Sequence, residues 1–367
     1  MKPFRQAIRS HGAPSPARLV AAVRSGLLAV SVPAALALGP VPLLVGFAAG
    51  SLLPAQSPFA SSVVSSNTNG GAGGGIFNPS NALGAPGAAT SVHSLGIGGQ
   101  LTLQFVPPIV DRPGADLIVG ENPFRLAGTW WQTFAEVAFV EVSSNGVDFV
   151  RFPARYFGAA ASPGSFGTVP VGAYQNLAGQ TPVLAGPPGI DAQDVVEAGG
   201  DAFDLGDLAT EPLVGNGTVD LQAIAYVRLV DVLNGSSLDA AGTTIFDAGS
   251  GSADIDCVTA IHQQGATVGS PPRIDLTIAI DGTMTMRLED PDGWQDLDPT
   301  SLRGALFGIP VDAFGLLTAF TVVAADATGF SLVQPYPLPN DLLFTLSFSV
   351  KDLAGNRSGQ ARPRPTF

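Results

Sequence analysis

The chain has 367 residues, 46% of them hydrophobic and only 13% charged, so it has enough apolar side chains to bury real cores and does not have the composition of a disordered chain. Its net charge of −13 is unevenly placed: Lys2, Arg5, Arg9, Arg18 and Arg24 precede the first acid, Asp111, and the remaining 12 basic against 30 acidic residues leave −18 beyond them. Such a field repels phosphate backbones and anionic lipid headgroups, which argues against a nucleic-acid partner, while the single cysteine, Cys257, rules out an intramolecular disulfide and a lipid-anchoring cysteine after the leader.

Residues 1–55 are predicted to be a signal peptide or N-terminal membrane anchor. A basic, acid-free stretch is followed by the apolar run Gly26–Leu53, the order of an export signal. Pro33, Pro40 and Pro42 interrupt it as a helix. Ala48-Ala49-Gly50 places small residues for cleavage before Ser51. Uncleaved, the run is long enough to span about 30 Å of hydrocarbon. Either way the rest lies outside, secreted or at the cell surface, and touches the membrane only through this segment.

Residues 56–265 are expected to form one domain of short strands. The glycine run Asn69–Gly75 has no Lys, no dinucleotide-binding spacing and no helical pattern after it, so it reads as a flexible loop rather than a phosphate cradle. Leu101–Phe105 alternates apolar and polar residues. Val140–Val142 and Val147–Phe152 are expected to pair as a hairpin turning on Asn145-Gly146, both with positive φ. Tyr226–Val230 and Ala253–Ile261 are further strands, and long amphipathic helical patterns are absent. Residues 266–272, ending in Pro271-Pro272, are the expected linker. Alternation then restarts in 273–367: Ile274, Leu276, Ile278 and Ile280 share a face, Met284, Met286 and Leu288 another, and Phe344, Leu346, Phe348 and Val350 a third. The fold class expected is all-β, a jelly-roll β-sandwich followed by an Ig-like β-sandwich.

Several segments also resemble known families. Val140–Phe152 (VEVSSNGVDFVRF) resembles the central hairpin of discoidin-like, galactose-binding-type jelly rolls. ADLIVGENPF (115–124), GGDAFDLGDL (199–208), YVRLVDV (226–232) and ADIDCVTAIH (253–262) together look like a group of secreted bacterial cell-surface proteins, over roughly residues 60–265. Residues 273–367 resemble bacterial Ig-like repeats, chiefly through Val350–Asn356 (VKDLAGN). The resemblance implies a fold and an extracellular location more than a ligand. Cys257 stands where a small alanine is expected, and Ser236–Ser252 reads as an insertion.

Residues that carry catalysis are sparse. The three histidines, His11, His93 and His262, lie in no hydrolase or metalloprotease motif. Cys257 sits in a strand pattern and reads as a buried, inert thiol. Two carboxylates could run glycoside hydrolysis, but no catalytic pair stands out. The acids suggest calcium instead. Asp254 and Asp256 fall on one strand face, where they repel unless Arg228 or a cation lies between them. Glu121, Asp201 and Asp204 lie in segments able to add oxygen ligands. The competing reading has these aspartates capping turns and accepting backbone N–H bonds. The run Glu289–Asp298 is not an EF-hand loop: setting Gly293 at position six puts Leu288 first and Pro299 twelfth, where ligands are required. Trp130 and Trp131, in a Gly-flanked loop, are candidate sugar-stacking residues. The expected function is a non-catalytic exported surface or extracellular protein for adhesion, matrix building or contact with glycans or other surface proteins. The alternatives are a dedicated carbohydrate-binding module and a secreted carboxylate-based hydrolase.

Overall fold

Alternating apolar residues place Leu101, Leu103 and Phe105 on the inner face of the strand Gln100–Ile109, and this strand organises the first sheet of the computed structural model. The structure describes residues 56–69, 75–87, 91–125, 132–249, 251–265, 269–279, 281, 283–306, 308–311, 321–333, 346–360 and 364–365. The leader 1–55, most of the glycine run, Trp130, Trp131, linker residues 266–268, Ile280 and Phe344 lie outside them.

Gln100–Ile109 runs antiparallel between Ser62–Asn67 and Ile224–Asp231; the latter pairs in turn with Ala138–Ser143, whose far edge takes Leu177–Ala178 and Val150–Arg151. A second antiparallel sheet runs in the order Asp201–Phe203, Leu117–Glu121, Asp254–Ala260 and His93–Ser94. Leu101, Leu103, Val140, Val227 and Leu229 of the first sheet meet Leu117, Val119, Phe203, Ile255 and Val258 of the second in one buried apolar cluster. The chain is therefore all-β and sandwich-like here, and the longest helix among the described residues has four residues, Pro212–Gly215. On the outer face of the first sheet Arg228 pairs with Glu141 and lies over the Phe149 ring at 3.8 Å.

The expected hairpin forms with a different turn. Glu141 pairs with Arg151 and Val142 with Val150, which leaves six residues between the strands. Only Gly146 has positive φ, at 76°. Asn145 instead accepts the Val147 and Asp148 N–H groups on its side-chain oxygen, 2.9 Å each, so a side-chain turn replaces the two-residue one.

The C-terminal strands build two more sheets. One runs Thr321–Ala325, Gly329–Val333, Met284–Glu289, Arg273–Ile278 and Arg364–Pro365, and the other Ile309–Val311, Leu297–Leu306, Leu346–Asp352 and Arg357–Gln360. Ile274, Leu276, Met284, Met286, Leu288, Leu346, Phe348 and Val350 are buried as their alternation requires. No described strand pairs across residues 266–272, yet Ser57–Phe367 forms one compact unit. The reason is a polar and apolar seam. Asp191 Oδ2 accepts from Lys351 Nζ and Arg357 Nε at 2.8 Å each. Ser349 Oγ donates to buried Asp194 at 2.7 Å. Ala115, Ile118, Val195, Val196 and Ile261 pack with Ala305. Pro271 and Pro272 are buried rather than held in solvent.

Candidate functional site

Strands that end together bring their terminal side chains together, and here those side chains are acids. Glu121 closes Leu117–Glu121, Asp231 closes Ile224–Asp231, Asp254 opens Asp254–Ala260, Glu136 stands two residues before Ala138–Ser143, and Asp247 lies on the loop before Asp254. Backbone N–H groups hold several of them. Asp231 accepts from Gly98 at 2.8 Å and Ala253 at 3.2 Å, Asp247 from Val137 at 3.2 Å, and Glu121 Oε1 from Asp254 at 3.0 Å. Glu121 Oε2 and Asp247 Oδ1 are buried without a hydrogen-bond partner. A side chain at Gly251 would meet the Glu136 carboxylate and displace it.

The electrostatics of this group are one-sided. Among the described residues none of the five acids forms a salt bridge. Burial, then repulsion from Asp254, Asp247 and Asp231, pushes Glu136 up to about 8. Burial pushes Asp247 up to about 7, opposed by the Val137 N–H and reinforced by Asp231. Asp231 rises to about 6 through burial, against its two backbone donors. Fully buried Glu121 lies well above the usual carboxylate range, through burial and through Asp254, Glu136 and Asp201. Asp254 is raised by burial, against the Ser94 hydroxyl. Burial and mutual repulsion disfavour the charged forms of these acids.

The sequence-predicted ligands divide. Glu121 and Asp254 belong to this group. Asp201 lies beside it, but its Oδ2 is already taken by the N–H groups of Gly179 and Gln180 at 2.8 Å each and of Thr181 at 3.4 Å. Asp204 caps the short helix Leu205–Leu208 by accepting from Gly206 at 2.8 Å and lies near Asp111 and Asp116. The register of Asp254–Ala260 shifts between Ile255 and Cys257, and Asp256 at this bulge accepts from Gly87 at 2.9 Å while Asp254 faces Glu121 and Ser94. Arg228, the alternative neutraliser, lies on the other sheet with Glu141. Cys257 is buried, and burial with the neighbouring Asp256 raises its thiol to about 12, which leaves it inert as a nucleophile. Asp231, Asp247 and Glu136 were not anticipated; the available signal was an acid placed at the end of each apolar alternation.

These assignments separate by mutation. Asp201→Ala strips three backbone N–H groups of their acceptor and is expected to cost about 1–3 kcal/mol while leaving the response to calcium intact. Thermal melts with and without calcium check this; loss of the calcium response would place Asp201 among the ligands.

A second acidic group, Asp111, Asp116 and Asp204, borders a cleft of about 400 Å³ that Arg112, Arg273 and Asp275 also line. Here both oxygens of the buried member, Asp116, are occupied. Asp116 takes the Arg112 N–H on Oδ1 at 2.9 Å and the Leu205 N–H on Oδ2 at 2.8 Å. Its Oδ1 also lies 2.8 Å from His262 Nδ1, with both side chains buried. His262 Nε2 donates to the Arg357 carbonyl at 2.8 Å, because a carbonyl only accepts. Burial raises Asp116 to about 6 against the pull of His262. This is a buried tie between the two groups of sheets, not an open coordination site.

Exposed aromatics lie close in sequence to the acidic group. Phe124 and Phe134 form a backbone bridge and stack at 4.5 Å between ring centroids, and Phe166 lies 6.4 Å from Phe134. Phe124 is 49% and Phe166 79% exposed. The bridge closes a loop that carries Trp130 and Trp131 in sequence between Glu121 and Glu136. No family model matches the chain, and comparison with curated proteins finds no match.

Proposed function

We propose that this is an exported, non-catalytic surface or extracellular protein whose first sandwich is completed by calcium at Glu121, Glu136, Asp231, Asp247 and Asp254. The observation that carries the reading is the set of buried carboxylates without a basic partner. Such a group is costly in a calcium-poor compartment and is offset outside cells, where extracellular modules bind calcium at about 10⁻⁴–10⁻³ M. The basic leader and apolar run give the route outward. The arrangement proposed is a discoidin-like jelly roll followed by an Ig-like sandwich, supported by the paired sheets and by the resemblance of residues 60–265 and 273–367. Bound calcium would also fix both ends of the segment from Glu121 to Glu136, and so present exposed Phe124 to a partner.

Exposed Phe124 and Phe166, to either side of buried Phe134, favour a glycan over a second protein as that partner, because exposed rings stack on sugar faces. Cell fractionation with N-terminal sequencing tests the location: a mature protein beginning near Ser51 outside the cytoplasm is expected, and intact Met1 in the soluble cytoplasm would overturn it. A glycan array run with calcium and with chelator tests the contact. Calcium-dependent micromolar binding supports the carbohydrate-binding form, silence leaves a scaffold in matrix or adhesion, and cleavage of an arrayed polysaccharide would turn the reading to a carboxylate hydrolase.

A further inference from the structure

The loop Asp290–Asp296 joins Met284–Glu289 to Leu297–Leu306, and its shape is set by hydrogen bonds that fold acids toward one point. Gly293, at φ 115°, donates to the Asp290 carbonyl at 3.0 Å, and Asp296 donates to the Gly293 carbonyl at 2.9 Å. Gly293 supplies a backbone conformation that other residues avoid. In consequence one carboxylate oxygen from each of Asp290, Asp292 and Asp296 lies within 4.8 Å of the other two. Asp290 is fully buried, and only one of its oxygens is used within the protein: Oδ1 accepts the Asp292 N–H at 2.8 Å, while buried Oδ2 has no partner. Burial, then the charges of Asp296, Asp352 and Asp292 against the Asp292 N–H, raises the Asp290 carboxyl. Among the described residues none of these four acids is in a salt bridge.

We propose that Asp290, Asp292 and Asp296 form a second calcium site, with the unpartnered Asp290 Oδ2 as its buried ligand. Three carboxylates, and no nitrogen or sulfur, are the donor set of a hard cation; a loop held by two successive β-turns accommodates the irregular geometry of calcium better than the strict octahedron of magnesium. The position gives it a task. Asp292 Oδ2 accepts the Ser270 N–H at 2.8 Å, so the loop holds the segment that enters the C-terminal sheets. Leu353 donates to the Asp296 carbonyl at 2.8 Å, which ties the loop to the turn leading into Arg357–Gln360, the strand that meets His262. A cation there would brace the junction between the two groups of sheets. It is independent of the site around Glu121, with which it shares no residue.

Trp294 lies inside the loop and can sensitise a lanthanide bound there. The test is terbium luminescence excited through tryptophan in the full chain, competed with calcium. Asp292 is exposed, and an asparagine keeps an oxygen for the Ser270 N–H, so Asp292→Asn should fold; Asp290→Asn removes the buried ligand. The wild type and Glu121→Gln are expected to give a calcium-displaceable signal that Trp294→Phe loses, with apparent affinity weakened at least about tenfold by either asparagine variant, as loss of a charged ligand requires. No calcium-displaceable signal in the wild type, or unchanged affinity in a folded Asp292→Asn, overturns the site. Loss of the signal in Glu121→Gln alone would assign it to the other site and overturn this one too.

Discussion

Glu121→Gln is expected to raise the melting temperature in chelator and to lower it in calcium, relative to the wild type. The amide keeps the shape of the side chain and an oxygen for the Asp254 N–H. It replaces a carboxyl whose ionisation is opposed by burial and by the neighbouring acids with a group that cannot ionise, and it offers an N–H to the neighbouring carboxylate. Without a cation it spares the cost of ionising that buried carboxyl in alkaline solution, and a rise of a few degrees is expected there. With calcium at a hundredfold excess over Kd the wild type gains roughly 2.7 kcal/mol, on the order of 5 °C for a chain of this size, and the variant forfeits most of it. The same group sets a pH dependence. Glu136, near 8, Asp247, near 7, and Asp231, near 6, stand above their ordinary values of 4.5 and 3.8. Between those limits the folded chain binds more protons than the unfolded one, so stability without calcium is fully present near pH 4 and is lost as pH rises toward 8. Calcium binds the deprotonated acids and flattens that slope. Melts at pH 5 and pH 8.5 check both statements; an identical pH slope with and without calcium, or a Glu121→Gln variant that keeps the full calcium gain, would contradict them.

Asp116→Ala is expected to be the most damaging single change in the chain. It leaves the part-buried Arg112 N–H, the buried Leu205 N–H and the buried His262 Nδ1 without their acceptor. Removing one member of a buried pair typically costs about 3–5 kcal/mol, or on the order of 10 °C in Tm. Because His262 also donates to the Arg357 carbonyl, the loss spreads to the seam. Protease is expected to cut near Gly265–Gly269, where both glycines are exposed. The two wild-type fragments should then elute together, held by Asp191, Asp194 and His262, whereas those of Asp116→Ala should separate. Wild-type fragments that part on gel filtration would show that the seam is weaker than its hydrogen bonds imply, and an Asp116→Ala protein with unchanged melting would refute the buried tie.

Alternation made the strands legible: Leu101–Phe105, Met284–Leu288 and Leu346–Val350 each place their apolar residues inward as the sequence requires, and Tyr226–Val230 buries Val227 and Leu229. Turns were less legible, since Asn145-Gly146 reads as a two-residue turn until the Asn145 side chain is seen to take over the hydrogen bonds. The acids were least so. Asp201 and Asp204 look like ligands in sequence but are spent on backbone N–H groups. Glu136, Asp231 and Asp247 come from segments far apart in sequence that only the sheet order brings to one end. Asp247 sits within Ser236–Ser252, the stretch that departs from the resembled pattern, so the resemblance could not point to it. The 290–296 loop was compared with an EF-hand register, whereas its three acids converge through a tighter turn around Gly293.

The most direct measurement is of protons. If calcium completes the Glu121 group, its binding at pH 7 must displace the protons that burial and repulsion hold on Glu136 and Asp247. Isothermal titration of the Asp292→Asn protein with calcium, in two buffers of different ionisation enthalpy, reads that release while the junction site is weakened. The expected result is binding with release of more than one proton at pH 7, fading at more alkaline pH, and abolished by Glu121→Gln. Calcium binding without proton release, or no binding in a folded protein, would contradict the account.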